Sequence, residues 1–137
     1  MSEKVVAIGL KIPDNSAYTA MVTLRRLGIE VARVERNDIL RFENEQETAE
    51  LRAHIERDEA VFNPNKHRIS VLTSPKPRPG EVWIETIGDE TIVAGMPARR
   101  YVGWRLFSGD SHAPRAVLDA AVESLLCNPA IERAIYS

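Results

Sequence analysis

A chain of 137 residues that is 44% hydrophobic has the size and composition of one packed domain, or two small units sharing a core, and not of a disordered segment. Its formal net charge of −2 gives no electrostatic reason to expect a nucleic-acid partner. The single cysteine, Cys127, excludes an internal disulfide and a multi-cysteine metal site and makes the cytoplasm the default compartment.

The N-terminal "MSEKVVAIGLK" lacks the basic region and cleavage site of a secretory signal, and the apolar run from Val5 to Leu10 is too short to cross a membrane. Residues 4–12 alternate as a strand, with Val6, Ile8, Leu10 and Ile12 on one face and a milder Val5, Ala7, Gly9 face behind. A helix follows, capped by Asp14, Asn15 or Ser16 and stopped at Gly28, with Ala17, Ala20, Met21 and Leu24 as its buried stripe. Arg25 and Arg26 complement the dipole at its C-terminus.

"IEVARVE" and "ILRFE" fit either one long strand bent near Ala32 or a hairpin through "RND". "NEQETAELRAHIERDEAVF" reads as a charged helix whose apolar pair is Leu51 and Ile55, and "HRISVLT" as a strand. The first 73 residues thus have the strand and helix order of a ferredoxin-like layer, an α+β antiparallel sheet with helices on one face.

Three alternating prolines in "SPKPRPG" mark residues 74–80 as an extended linker. In residues 81–137, "EVWIETI" and "TIVAGM" flank "GDE" as a hairpin, and "ARRYVGWRLF" is a further strand. "SHAPRAVLDAAVESLLC" is a helix with the stripe Leu118, Ala121, Val122 and Leu125, with Ser111 as a cap and Pro114 in its first turn. "IERAIY" closes the chain as a strand. The second half therefore reads as a partial unit with an extra hairpin.

"FNPNKHR" and "CNPAIER" place Asn63-Pro64 and Asn128-Pro129 at the same joint, helix to strand, 65 residues apart. Proline pushes the preceding residue out of the helical region and cannot extend the helical ladder, and asparagine ties the turn through its side chain. At this offset Phe42 meets Phe107 and Arg68 meets Arg133 as well, four identities over positions 39–70 where chance gives about two. The helix stripes disagree in phase, since Leu51 and Ile55 fall on Ala116 and Ala120. Position at one structural joint, more than the number of identities, argues for a degenerate tandem repeat.

At these joints the sequence resembles a known family, the small PurS subunit of phosphoribosylformylglycinamidine synthase. "TLRRLGIEVARVERNDILRFE" (23–43) is similar to its helix, Leu-Gly step and following strand, and "ESLLCNPAIERAIYS" (123–137) to its closing "LLxNP" helix and last strand. Family members are about half this size, and residues 44–100 lie between the matching ends. The resemblance implies a fused, partly degraded pair: a complete unit over 1–73 and a partial one over 81–137, imitating a dimer of the small subunit. It implies a non-catalytic subunit without cofactors that bridges PurL-type synthetase and PurQ-type glutaminase subunits of purine biosynthesis. Homo-oligomers are expected too, because a one-sided sheet must cover its second face, and Val5, Ala7 and Gly9 offer apolar area for that.

Catalytic signatures are missing from the sequence: no GxGxxG, Walker or GxSxG motif is present, and His54, His67 and His112 have no metal-ligand spacing. His54 and His67 read as surface residues, and Glu56, Asp58 and Glu59 as a solvated face. Cys127 reads as a small buried hydrophobe, and Trp83 and Trp104 as core or interface anchors. The one candidate ligand site is "MPARRYVGWRLFSGDSH", where Arg99, Arg100, Arg105 and His112 could hold an anion beside a helix start. Strand alternation puts Arg99 and Tyr101 on one face and Arg100 on the other. This site defines an alternative reading, a small-molecule-binding or enzymatic protein on a ferredoxin-like or dimeric α/β-barrel frame using strand 99–105.

Overall fold

Two long strands, β2 (Arg33–Asn44) and β6 (Met96–Ser108), pair antiparallel along nine residue pairs and form the spine of the fold. The computed structural model describes residues 2–44, 46–88 and 90–137. β1 (Ser2–Leu10) and β3 (His67–Val71) extend the sheet on one side of the spine, and β4 (Glu81–Thr86) and β8 (Glu132–Ile135) on the other. The strand order is β3-β1-β2-β6-β4-β8, all antiparallel, with the short β5 (Thr91–Val93) and β7 (Ser111–His112) each pairing with β6. Helices α1 (Asn15–Arg26), α2 (Thr48–Glu56) and α3 (Arg115–Ala121) complete an α+β architecture compatible with a ferredoxin-like fold. No helix among the described residues is long and apolar enough to cross a membrane.

The period-two alternation of the strands sorts two faces. Val34, Leu40 and Phe42 of β2 share one phase and all pack into the helix-side clusters. One cluster joins Ala17 and Leu24 of α1 to Leu118 and Ala121 of α3 over Val82, Ile84 and Leu106. The other joins Leu51 and Ile55 of α2 to Val6, Ile8, Leu40, Phe42 and Ile69. α1 is capped by Asp14, whose Oδ1 accepts from Ala17 N at 3.0 Å. Arg25 does more than answer the dipole: its guanidinium donates to the carbonyls of Val31 and Ala32 at 2.8 and 3.1 Å, fixing the chain's entry into β2. Ile12, expected to continue the buried face of β1, lies beyond the strand and is exposed.

The choice left open at "RND" resolves as one strand. Arg36, Asn37 and Asp38 sit in mid-strand opposite Trp104, Gly103 and Val102. The bend precedes the strand, and Ala32 N still donates to Phe107 O at 2.8 Å. The expected hairpin between "EVWIETI" and "TIVAGM" is not formed: β5 pairs with β6, with Val93 opposite Met96, while β4 pairs with β6 and β8. The turn is Ala94-Gly95, at φ 50° and 78°. Positive φ at both positions matches the right-handed twist of a two-residue hairpin. In the expected "GDE" turn, Asp89 lies outside the described residues.

α3 runs on into a π turn, Val122–Leu126, where Cys127 N bonds Val122 O at 3.3 Å. One extra residue per turn rotates the apolar stripe, so Leu126 is buried and the expected Leu125 faces out. Ser111, expected as a cap, belongs to β7, and Pro114 holds the residue before the first turn.

Among the described residues the opposite face of the sheet carries no helix, yet it is buried at its centre. Val5, Ala7, Ile39, Trp83 and Tyr101 form a third cluster, with Leu72 and Ile135 packed against it. The chain after β3 must cross three strands to reach β4. It starts that crossing on this face, with Leu72 N bonded to Val5 O at 2.9 Å, and Pro77 is buried. At the far end Arg78 locks onto Glu81, whose side chain is fully buried: Oε1 accepts from Arg78 N (3.0 Å) and Nε (3.2 Å), and Oε2 from Nη2 (2.8 Å).

Candidate functional site

The four residues read as one anion site are dispersed. Arg99 lies on the helix-free face with Tyr101, its Nη1 3.5 Å from Glu85 Oε2. Arg100 points to the opposite face, 3.5 Å from Asp38 Oδ2. Arg105 shares the face of Arg99 but stands six residues along the strand, about 20 Å away. There it donates to Pro79 O at 3.1 Å and meets His112 Nδ1 at 3.5 Å. His112 packs on Phe107, whose ring also carries the Arg33 guanidinium 4.0 Å from its centroid. Burial and the neighbouring Arg78 pull the Arg105 pKa below the ordinary arginine value. Arg105 also faces Glu81 across the β4–β6 pair, so it serves to seat the linker.

What assembles around Arg99 is a different set. Register places Arg41 of β2 directly opposite Arg99. Arg41 pairs with Glu3, lies 3.7 Å from Glu43, and its Nη1 is 3.5 Å from the Tyr101 hydroxyl. Burial opposes its charge, but Tyr101 and Glu3 outweigh that and raise its pKa above the ordinary value. Arg41 Nε is buried with no hydrogen-bond acceptor among the described residues. Beside the two arginines opens a cavity of about 670 Å³ lined by Glu43, Glu90, Thr91, Ile92, Pro97 and Ala98. A second hollow of about 390 Å³ shares Glu90 and Arg99 and reaches Arg133, which grips the buried Glu85 Oε1 at 2.5 Å. Arg41, Glu85 and Glu90 were missed because their convergence depends on cross-strand register, which strand alternation alone does not supply.

The two Asn-Pro turns match in the bonds they make toward the following strand, but not in what precedes them. α2, expected to run through Phe62 to the first turn, ends at Glu56, so Asn63-Pro64 does not stop it. The turn Val122–Leu126, by contrast, ends at Cys127 directly before Asn128. Asn63 Oδ1 accepts from Asn65 N at 2.9 Å, and Asn128 Oδ1 from Ala130 N at 3.1 Å. Asn63 O accepts from Lys66 N and His67 N (2.9 and 2.7 Å), and Asn128 O from Ile131 N and Glu132 N (3.1 and 2.8 Å). Asn63 N donates to His67 Nδ1 and Asn128 N to Glu132 Oε1, at 2.9 and 2.8 Å. Every partner of one stop sits 65 residues from its counterpart at the other. Pro64 and Pro129 leave no N–H to compete with these bonds.

No protein-family model and no curated protein sequence matches this chain.

Other residues singled out in the sequence find structural work. His67, expected at the surface, is half-buried as the acceptor of the Asn63 stop and rests against Phe62. Asp58 is more than a solvated charge: its carboxylate accepts from Ala60 N and from Ala94 N, pinning the β5–β6 hairpin to the end of α2. His54 is exposed and meets Gln46 Nε2 at 2.7 Å. Trp83 is a core residue and Trp104 is half-buried. Cys127 is half-buried, and burial and then Glu132 raise its pKa. Among the described residues no group of three or more His, Cys, Asp or Glu side chains could hold a metal ion.

Proposed function

We propose that the chain is a tandem PurS-like assembly subunit, two related units fused so that one polypeptide imitates a dimer. The carrying observation is the coincidence of the two Asn-Pro stops with a symmetric strand order. β3-β1-β2 on one side of the spine mirrors β8-β4-β6 on the other. Ile8 lies between Asp38 and Ile69, Ile84 lies between Val102 and Ala134, and Asp38 pairs with Val102. A pseudo-two-fold axis through that last pair relates the units. On this axis Phe42 matches Leu106, so the Phe42–Phe107 identity is coincidental. The counterpart of α1 is missing from the second unit. The β5–β6 hairpin stands in its place, packing Val93, Ala94 and Met96 beside α2.

The resemblance at 23–43 and 123–137 points this architecture toward bridging a synthetase and a glutaminase subunit in purine biosynthesis, with self-association through the remaining free strand edges. Co-elution of the purified chain with the cognate PurL- and PurQ-type subunits on gel filtration tests the reading. Failure of both to bind overturns the assembly role and leaves the duplication standing. A small-molecule role for strand 99–105 draws support from the hollow beside Arg41 and Arg99 alone, since Arg100 and Arg105 lie elsewhere.

A further inference from the structure

Arg41 and Arg99 face each other on adjacent strands, and like charges directly opposite destabilise a sheet. Each is countered from one side: Arg41 by Glu3 and Glu43, and Arg99 by the buried Glu85. Neither guanidinium is saturated. A guanidinium carries five N–H donors, and among the described residues the half-exposed Arg99 makes a single ionic contact. Both line the 670 Å³ cavity, a size within the range of small-molecule sites.

The carboxylates beside the arginines set the ligand's chemistry. Glu90 stands one residue before the Thr91–Ala98 pair, beside Arg99, and among the described residues it has no ion-pair partner. Glu43 stands beyond Arg41. Glu43 is already paired with Arg41, so a simple anion meets the unpaired carboxylate of Glu90, and a simple cation meets the two guanidinium groups. Ile92, 73% exposed, and Pro97 add an apolar part to the lining.

We propose that this trough binds a small zwitterion, its carboxylate or phosphate bridging Arg41 and Arg99 and its ammonium group meeting Glu90. Bidentate guanidinium contacts suit either anion, and an unpaired carboxylate beside them suits a ligand that also carries a cationic pole. The proposal is independent of the assembly role.

Isothermal titration of the full chain at low ionic strength, where surface electrostatics are least screened, tests it with four probes. O-phosphoethanolamine and β-alanine carry both poles, whereas inorganic phosphate and ethanolamine carry one each. At least one two-pole probe binds tenfold or more tightly than either single-pole probe. Glu90→Gln and Arg99→Ala each weaken that binding at least tenfold, while Arg115→Ala on α3 leaves it unchanged. Circular dichroism checks the fold of each variant. Arg99 and Glu90 are solvent-exposed, so neither substitution opens the core. Absence of binding by both two-pole probes overturns the proposal. So does binding that ignores Arg99→Ala and Glu90→Gln, or phosphate alone binding as tightly, which identifies an adventitious ion only.

Discussion

Arg78→Met removes the only side chain that, among the described residues, hydrogen-bonds the carboxylate of Glu81, and the structure sets the size of the effect. The substitution deletes two charge-assisted bonds, at 3.2 and 2.8 Å, and leaves a fully buried carboxylate held by the Arg78 backbone N–H alone. Breaking a buried pair from one side costs about 3–5 kcal/mol. Two features reduce that here: the Arg78 side chain is 29% exposed, and Arg105 faces Glu81 across the strand pair. The expected loss is about 2–3 kcal/mol, a fall in Tm of about 8–12 °C for a domain of this size. Glu81→Gln keeps the shape and leaves a partly solvated guanidinium, so it costs about 1 kcal/mol. The double variant costs less than the sum by about 1 kcal/mol, because the second change removes an already orphaned partner. Urea unfolding followed by circular dichroism measures all three. An Arg78→Met protein melting within about 2 °C of the parent, or strictly additive losses, refutes the claim that this ion pair pins the linker to the sheet.

Asn63→Ala and Asn128→Ala each remove a side-chain bond to the N–H two residues on, and each is expected to cost about 1 kcal/mol. Urea unfolding that finds one site costing several times the other rejects their equivalence. Alkylation of Cys127 by iodoacetamide should be slower at pH 8 than that of a free thiol and still climb beyond pH 9, because burial raises its pKa. The sign for stability follows. The folded state holds this proton more tightly, so its contribution is complete below the unfolded thiol pKa and lost as pH rises through the folded value. A rate that levels off near pH 8 refutes the raised pKa.

Local signals carried most of the elements. The Asp14 cap and the Leu51–Ile55 pair act through neighbours a few residues away, and each is formed as the sequence reads, whereas α2 ends at Glu56 ahead of the first Asn-Pro turn. Departures occurred where geometry is cooperative or long-range. The π turn exchanges Leu125 for Leu126, and no local propensity marks the extra residue. The β5–β6 hairpin turns on Ala94, a residue seldom found at positive φ, while the better turn signal lay a few residues earlier. At the site, alternation correctly separated Arg99 from Arg100. The partners of Arg99, namely Arg41, Glu85 and Glu90, come from three segments brought together by strand register.

The β2–β6 spine also dictates the order of events on the ribosome. At about 5–20 residues per second, β6 is finished some 3–13 s after β2, since 64 residues separate Asn44 from Ser108. Throughout that interval one flank of β2 offers unsatisfied backbone groups, a template for whichever matching strand arrives first. Slow translation through the proline-rich segment lengthens that exposure.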